Sequence, residues 1–210
     1  KGGLFNGPDS VPSLKLWLDA KNNSSMDQGT SLGASGPPSD GDNVKYWVDQ
    51  SGNGHHATSS GSPSYEESAI NGLPVVNTSG GTLEISNSAS VFDAWDSMSL
   101  VFVYRWASGY WNWENNIKKG GAWEIGKARI ENQHNQGIRW RNGDFRSNGI
   151  TRANENPKII TFVYDGSVPS IKWHSNGSSA GTRTASNVPT SFASNSDKVK
   201  FYNRNKYGEI

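Results

Sequence analysis

The sequence predicts an all-β fold built as two packed antiparallel sheets, and three observations carry that expectation. Short runs rich in β-branched and aromatic residues recur along all 210 residues, separated by Gly, Ser, Asn and Pro. Asn-Gly, a dipeptide suited to the positive φ of tight hairpins, occurs at Asn6, Asn53, Asn71, Asn142, Asn148 and Asn176. No segment keeps a helical apolar period for three turns.

Composition agrees with that class. Hydrophobic residues make up only 33%, but nine Trp, seven Tyr and seven Phe supply large buried rings, so a core needs few aliphatics. Cys is absent, which excludes disulfides, thiolate metal sites and thiol catalysis. No apolar stretch approaches the ~20 residues that span a bilayer as a helix, so no membrane insertion is expected. The 210 residues are expected to form one domain, cut from a longer protein. Lys1 begins no leader, and Ile210 reads as the start of a closing strand that is missing or supplied elsewhere.

Net charge is only +1, yet unevenly spread: residues 1–99 hold 4 Lys and Arg against 11 Asp and Glu, whereas residues 100–152 hold 9 against 4. Basic residues lack the clustering and excess that phosphate tracking produces, so no nucleic-acid partner is expected. Uneven charge does admit an anionic partner at the middle segment, although a mixed surface is the preferred explanation.

The strands are expected in order. Leu14 to Leu18 alternates, and Val44 to Val48 follows after a polar loop. Leu73 to Val76 and Thr82 to Ile85 are short, Pro74 marking a strand start or an edge. Met98 to Trp106 is nearly continuous in apolar residues, which predicts a central strand buried on both faces. Trp123 to Ile125 and Ile138 to Arg141 precede a hairpin at Asn142-Gly143. Lys158 to Tyr164 and Ser170 to His174 end at Asp165-Gly166 and Asn176-Gly177, and Val199 to Tyr202 is last. Trp17, Trp47, Trp106 and Trp173 sit within apolar alternation and are expected in the core, their N–H groups satisfied.

Leu16-Trp17-Leu18-Asp19-Ala20, followed by Val44-Lys45-Tyr46-Trp47-Val48-Asp49-Gln50-Ser51-Gly52-Asn53-Gly54-His55-His56-Ala57, resembles the opening of bacterial laminin-G-like domains of the concanavalin A-like lectin/glucanase superfamily. Phe162 to Gly166 and the Asn176-Gly177 turn look like that superfamily's paired strands. The resemblance implies a two-sheet antiparallel jelly roll of the concanavalin A-like kind, whose concave face or loop rim often binds glycans, sometimes with calcium. The same fold also hosts hydrolases, lyases and adhesive modules, so the resemblance leaves function open.

Read by its own chemistry, Asp49 to Gly54 is a turn, because Asp and Ser accept backbone N–H bonds and Gly relieves strain. Asp40, Asp42 and Asp49 together also offer oxygens to calcium, the only cofactor considered, but Asp40-Gly41-Asp42 lacks full calcium-loop spacing. His55 and His56 are adjacent, which points them apart on a strand.

Sugar binding calls for aromatic platforms beside planar hydrogen-bonding side chains. Tyr110-Trp111-Asn112-Trp113 is ring-dense and loop-like, and Trp111 and Trp113 share a side if extended. The alternative places these rings over the end of the core. Arg139 and Arg141 flank Trp140 and share its opposite face, where they suit carboxylate or sulfate. Arg129, Glu131 and Gln133 form a second polar row.

Catalysis has weaker support. The Glu-x-Asp-x-x-Glu pattern of the superfamily's glucanases is absent, and Glu124 and Glu131 share a face only if a bulge at Gly126 shifts the parity. A lyase site built from Tyr110, His134, Arg139 and Arg141 has no spacing to support it. No residue is assigned a catalytic role. The expectation is a non-catalytic polysaccharide-binding module, leaning towards acidic glycans, within a secreted or cell-surface protein whose neighbouring domains are its other partners. A polysaccharide-degrading enzyme and a structural or adhesive spacer are the alternatives.

Overall fold

A computed structural model describes residues 8–86, 97–106, 114–119, 123–130, 133–140, 143–146, 157–168, 170–184, 198–202 and 208–209. Its strands are Met26–Asp27 (β1), Tyr46–Trp47 (β2), Ala57–Gly61 (β3), Ser64–Ile70 (β4), Leu73–Asn77 (β5), Gly81–Ile85 (β6), Ser97–Trp106 (β7) and Glu114–Lys119 (β8). Then come Trp123–Ile130 (β9), Gln133–Trp140 (β10), Gly143–Arg146 (β11), Lys158–Asp165 (β12), Ser170–Ser175 (β13), Ser178–Thr184 (β14), Val199–Tyr202 (β15) and Gly208–Glu209 (β16).

They form two sheets in which every described pairing is antiparallel, ordered β1-β2-β3-β6-β15-β8-β9-β10-β11 and β14-β13-β12-β7-β16-β5-β4. The chain passes repeatedly from one sheet to the other, so neighbours in space are often distant in sequence. β6 pairs with β15, for example, and β7 with β12. The expected all-β, two-sheet antiparallel jelly-roll sandwich is the observed architecture.

Cross-strand register explains why these residues form this sandwich. One row of directly opposed positions reads Leu83, Phe201, Ile117, Ile125, Ile138 and Phe145. The neighbouring row on the same face includes Trp47, Ala57, Ile85 and Val199. Because successive residues alternate faces, these two rows share one side of the nine-stranded sheet and give it an apolar stripe. From the second sheet Met98, Phe102, Ile160, Phe162, Tyr164, Ile171 and Trp173 join the same buried cluster. Phe162 and Trp173 are opposed in register and meet edge-on, centroids 5.9 Å apart.

Two Asn-Gly turns close hairpins as their chemistry predicts. Asn71 and Gly72 have φ of 52° and 75°, and Asn176 and Gly177 have 51° and 78°. Both dihedrals positive is the turn whose twist matches paired strands, and Ile70–Leu73 and Ser175–Ser178 pair across them. At the third hairpin Trp140 pairs with Gly143, which leaves Arg141 and Asn142 between the strands, outside the described residues.

Several expectations are corrected. Leu14 to Leu18 forms no strand; its backbone is bonded to the side chains and backbone of residues 49–53, while Leu16 and Leu18 pack on the core. Val44 to Val48 contributes only two strand residues, because Val44 and Val48 bond to loops outside the ladder. β7 is central in its sheet but not buried on both faces: Val101 and Val103 are 62% and 43% exposed, opposite in parity to Met98 and Phe102. Its uninterrupted apolar run hid an ordinary alternation.

Pro74 does fall near a strand start, although β5 is not an edge. Gly208–Glu209 forms a short strand between β7 and β5, next to the Ile210 where a strand was expected to begin. Trp47 and Trp173 are buried as expected and Trp17 is half-buried, while the Trp106 side chain lies outside those described. Trp47 Nε1 has no partner among the described residues, contrary to expectation, at a cost of roughly 1–3 kcal/mol.

Candidate functional site

The signature around Asp49 proves to be a structural knot. Asp49 is 3% exposed. Its Oδ1 accepts the backbone N–H groups of Trp17 and Ser51, both at 2.9 Å, and its Oδ2 accepts the Ser51 hydroxyl at 2.8 Å and the His55 N–H at 3.1 Å. Its own N–H donates to His56 Nδ1 at 3.0 Å, and the His56 ring tilts against Tyr46. Asn53 Nδ2 donates to the Leu14 carbonyl at 2.8 Å. Thus Trp-x-Asp-x-Ser-Gly-Asn ties the first segment of the chain to the edge of the nine-stranded sheet.

Burial alone would raise the Asp49 pKa, but the bonds from Trp17, Ser51 and His55 outweigh it and hold the carboxyl below its ordinary range. The same donors bear on calcium. A cation needs oxygens with free lone pairs, whereas each Asp49 oxygen faces two hydrogen donors. Asp40 Oδ1 accepts the Glu67 N–H and Asp42 Oδ2 the Ser39 N–H. Among the described residues no three His, Asp or Glu side chains are grouped as a metal site, and Asp40, Asp42 and Asp49 are not brought together as one.

A second buried carboxylate, missed in the sequence, organises the loop after β1. Asp27 is 1% exposed and accepts N–H bonds from Gly29, Gly33, Ser35 and Gly36 at 2.6–3.2 Å. Burial pushes its pKa up, and the four donors more than reverse that. The run of small residues after Asp27 was the available signal, since only small residues let so many amides converge.

The side opposite Leu83 and Ile85 carries the sheet's row of charged and polar positions. One row across the nine-stranded sheet reads Asp27, Tyr46, Thr58, Glu84, Lys200, Lys118, Glu124, Arg139 and Asp144, each opposed to the next. From Thr58 to Asp144 it crosses six interstrand steps of about 4.8 Å, roughly 29 Å in all. Next to it Gly126 opposes Gly137, with Asn115 and Arg146 as their outer partners. Two facing glycines leave a strip without side chains, bordered by residue types that hydrogen-bond sugars.

Among the residues singled out in the sequence, Arg139 and Gln133 share this face by parity on β10. Arg129 does not. It opposes His134, which puts it on the face of Ile125 and Ile138, so the expected row with Gln133 is broken. Tyr110, Trp111, Asn112, Trp113, Glu131 and Arg141 lie outside the described residues, as do the side chains of Arg129, Gln133 and Arg139. β9 is regular through Gly126; the extra residue, Asn116, is in β8, so the bulge that Glu124 and Glu131 required is on the wrong strand.

A domain of known structure shares this fold. Domain 4 of AbnA, a GH43 extracellular arabinanase from Geobacillus stearothermophilus, solved in complex with arabinotriose, superposes with a TM-score of 0.58. The match covers 77% of this chain and 84% of that domain at 11% identity. A structure described as a receptor binding domain gives 0.49 at 16% identity, over 78% of this chain and 42% of that one. No known family profile and no curated protein matches the sequence. At these identities the likeness shows the β-sandwich fold. Among the described residues no helix is long and apolar enough to cross a membrane.

Proposed function

We propose that this chain is a non-catalytic carbohydrate-binding module of the laminin-G-like, concanavalin A-like kind, working beside neighbouring domains of a larger secreted or cell-surface protein. The observation that carries this reading is the polar row of the nine-stranded sheet, where Arg139 stands beside the Gly126–Gly137 strip. A glycan has hydroxyls around its rim and flat C–H faces; such a strip admits the ring, and bordering Asn and Arg residues meet the hydroxyls. The sandwich neighbour solved with arabinotriose supports a sugar partner.

Binding is favoured over hydrolysis by the order of charges. Glu124 and Asp144 stand on either side of Arg139 in register, an alternation that suits a charge ladder rather than a pair of carboxyl groups set apart for hydrolysis. Trp111 and Trp113, which precede β8 in the sequence, are proposed to supply stacking rings.

Affinity electrophoresis through gels holding neutral or acidic polysaccharides tests this reading. At least one polymer is expected to retard the chain, and Arg139→Ala to weaken that binding about five-fold or more. Unchanged mobility in every polymer contradicts it.

A further inference from the structure

Arg139 has two acidic register partners, whereas the middle of the same face carries a local excess of lysine. Glu84 is only 8% exposed although it lies on the side opposite Leu83 and Ile85. Lys198 donates to its Oε2 at 2.8 Å and Lys200 to its Oε1 at 2.6 Å. Two ammonium groups thus share one carboxylate and leave a surplus positive charge. Their side chains remain 49% and 44% exposed, and each ammonium carries three donors.

The next strand brings a third lysine to this face. Lys118 is directly opposed to Lys200. Lys118 is opposed by Glu124 on its other side, so two adjacent lysines stand between two glutamates in this row. Like charges in direct cross-strand register destabilise a sheet, and an anion seated between them relieves that. An anion bridging Lys198, Lys200 and the Lys118 position relieves the repulsion and takes up the unused donors.

We propose that the centre of this face, where Lys198 and Lys200 bond Glu84 and Lys118 stands next in register, is a subsite for the anionic group of an acidic glycan. This deepens the glycan-binding reading and rests on it. The occupant is a carboxylate or sulfate carried by the polymer, seated between β15 and β8 while the sugar rings continue towards Gly126 and Gly137.

The test titrates the full chain with two matched pairs, polygalacturonate against its methyl-esterified form, and dextran sulfate against dextran. At least one anionic member is expected to bind more tightly than its uncharged partner, and more weakly as salt is raised. Which pair responds distinguishes carboxylate from sulfate. Lys200→Met and Lys118→Met are each expected to weaken that binding about two- to five-fold, and Lys200→Arg to retain it. Lys172→Met, on the other sheet, is expected to change nothing. Uncharged polymers bound as tightly, with no effect of salt or of either lysine, overturn the subsite while leaving glycan binding intact. Failure of all polymers, charged and uncharged, overturns both.

Discussion

Replacing Asp49 by alanine is expected to destabilise the fold by about 3 kcal/mol, because a nearly sealed charged acceptor disappears and leaves its donors without a partner. The Trp17 and His55 N–H groups lose their acceptor, and with them the docking of residues 14–20 on the core loosens. Asp49→Asn keeps the size but replaces one acceptor oxygen by a donor facing other donors, so it is expected to lose much of the same stability. Denaturant titration at neutral pH gives the loss directly, and retention of wild-type stability by both variants contradicts the role assigned to this residue.

The sign of the pH dependence follows from the same bonds. A carboxyl held below its ordinary value contributes stability that is fully present above the unfolded pKa, about 3.9 for Asp, and is lost as pH falls through the native one. Asp49 is shifted that way, as are Asp27, Glu84 and Asp165. The parent chain is therefore expected to lose stability steeply below about pH 4, and Asp49→Ala to show a shallower dependence there.

Trp173→Ala is expected to be at least as damaging, about 3–5 kcal/mol, by leaving a cavity and removing the edge-on contact with Phe162. Trp173 is 1% exposed and Phe162 fully buried, so no solvent reaches the gap and the surrounding strands relax only in part. For a chain of this length a loss of that size lowers Tm by roughly 10 °C or more. Calorimetry of Trp173→Ala and Trp173→Phe checks this, with the smaller decrease expected for phenylalanine. Equal stability of both variants to the parent places the ring outside the core.

Much of the fold was legible because strand chemistry is local. Asn71-Gly72 and Asn176-Gly177 announce their hairpins whatever surrounds them, since positive φ at both positions excludes most other residues. Leu14 to Leu18 was misread for the opposite reason. Its alternation does place Leu16 and Leu18 on the core, but its backbone partners are side chains 32 to 39 residues away rather than a ladder. Periodicity reports which face is buried and is silent about who takes the hydrogen bonds.

The site was legible only in part. Arg139 could be placed opposite Ile138 by parity within one strand, but its flanking Glu124 and Asp144 required the register of three strands. Glu84 and its lysines lay further out of reach, because they are separated by more than a hundred residues and meet only where β6 pairs with β15. Arg129 shows the converse: a polar residue whose position on its strand contradicts its chemistry, invisible until His134 is set opposite it. An acidic turn and a cation loop use the same residue types, and the bonds that both Asp49 oxygens accept are what give Asp49 its turn role.

Sugar is expected to meet the polar face of the nine-stranded sheet. Backbone amide shifts followed while an oligosaccharide is titrated measure this most directly, using a glycan chosen from the polymers that retard the chain. The perturbed amides are expected to cluster on β8 to β11 and to extend across β15 to β6. Shifts confined to β12, β13 and β14, or the absence of any shift at saturating sugar, contradict it.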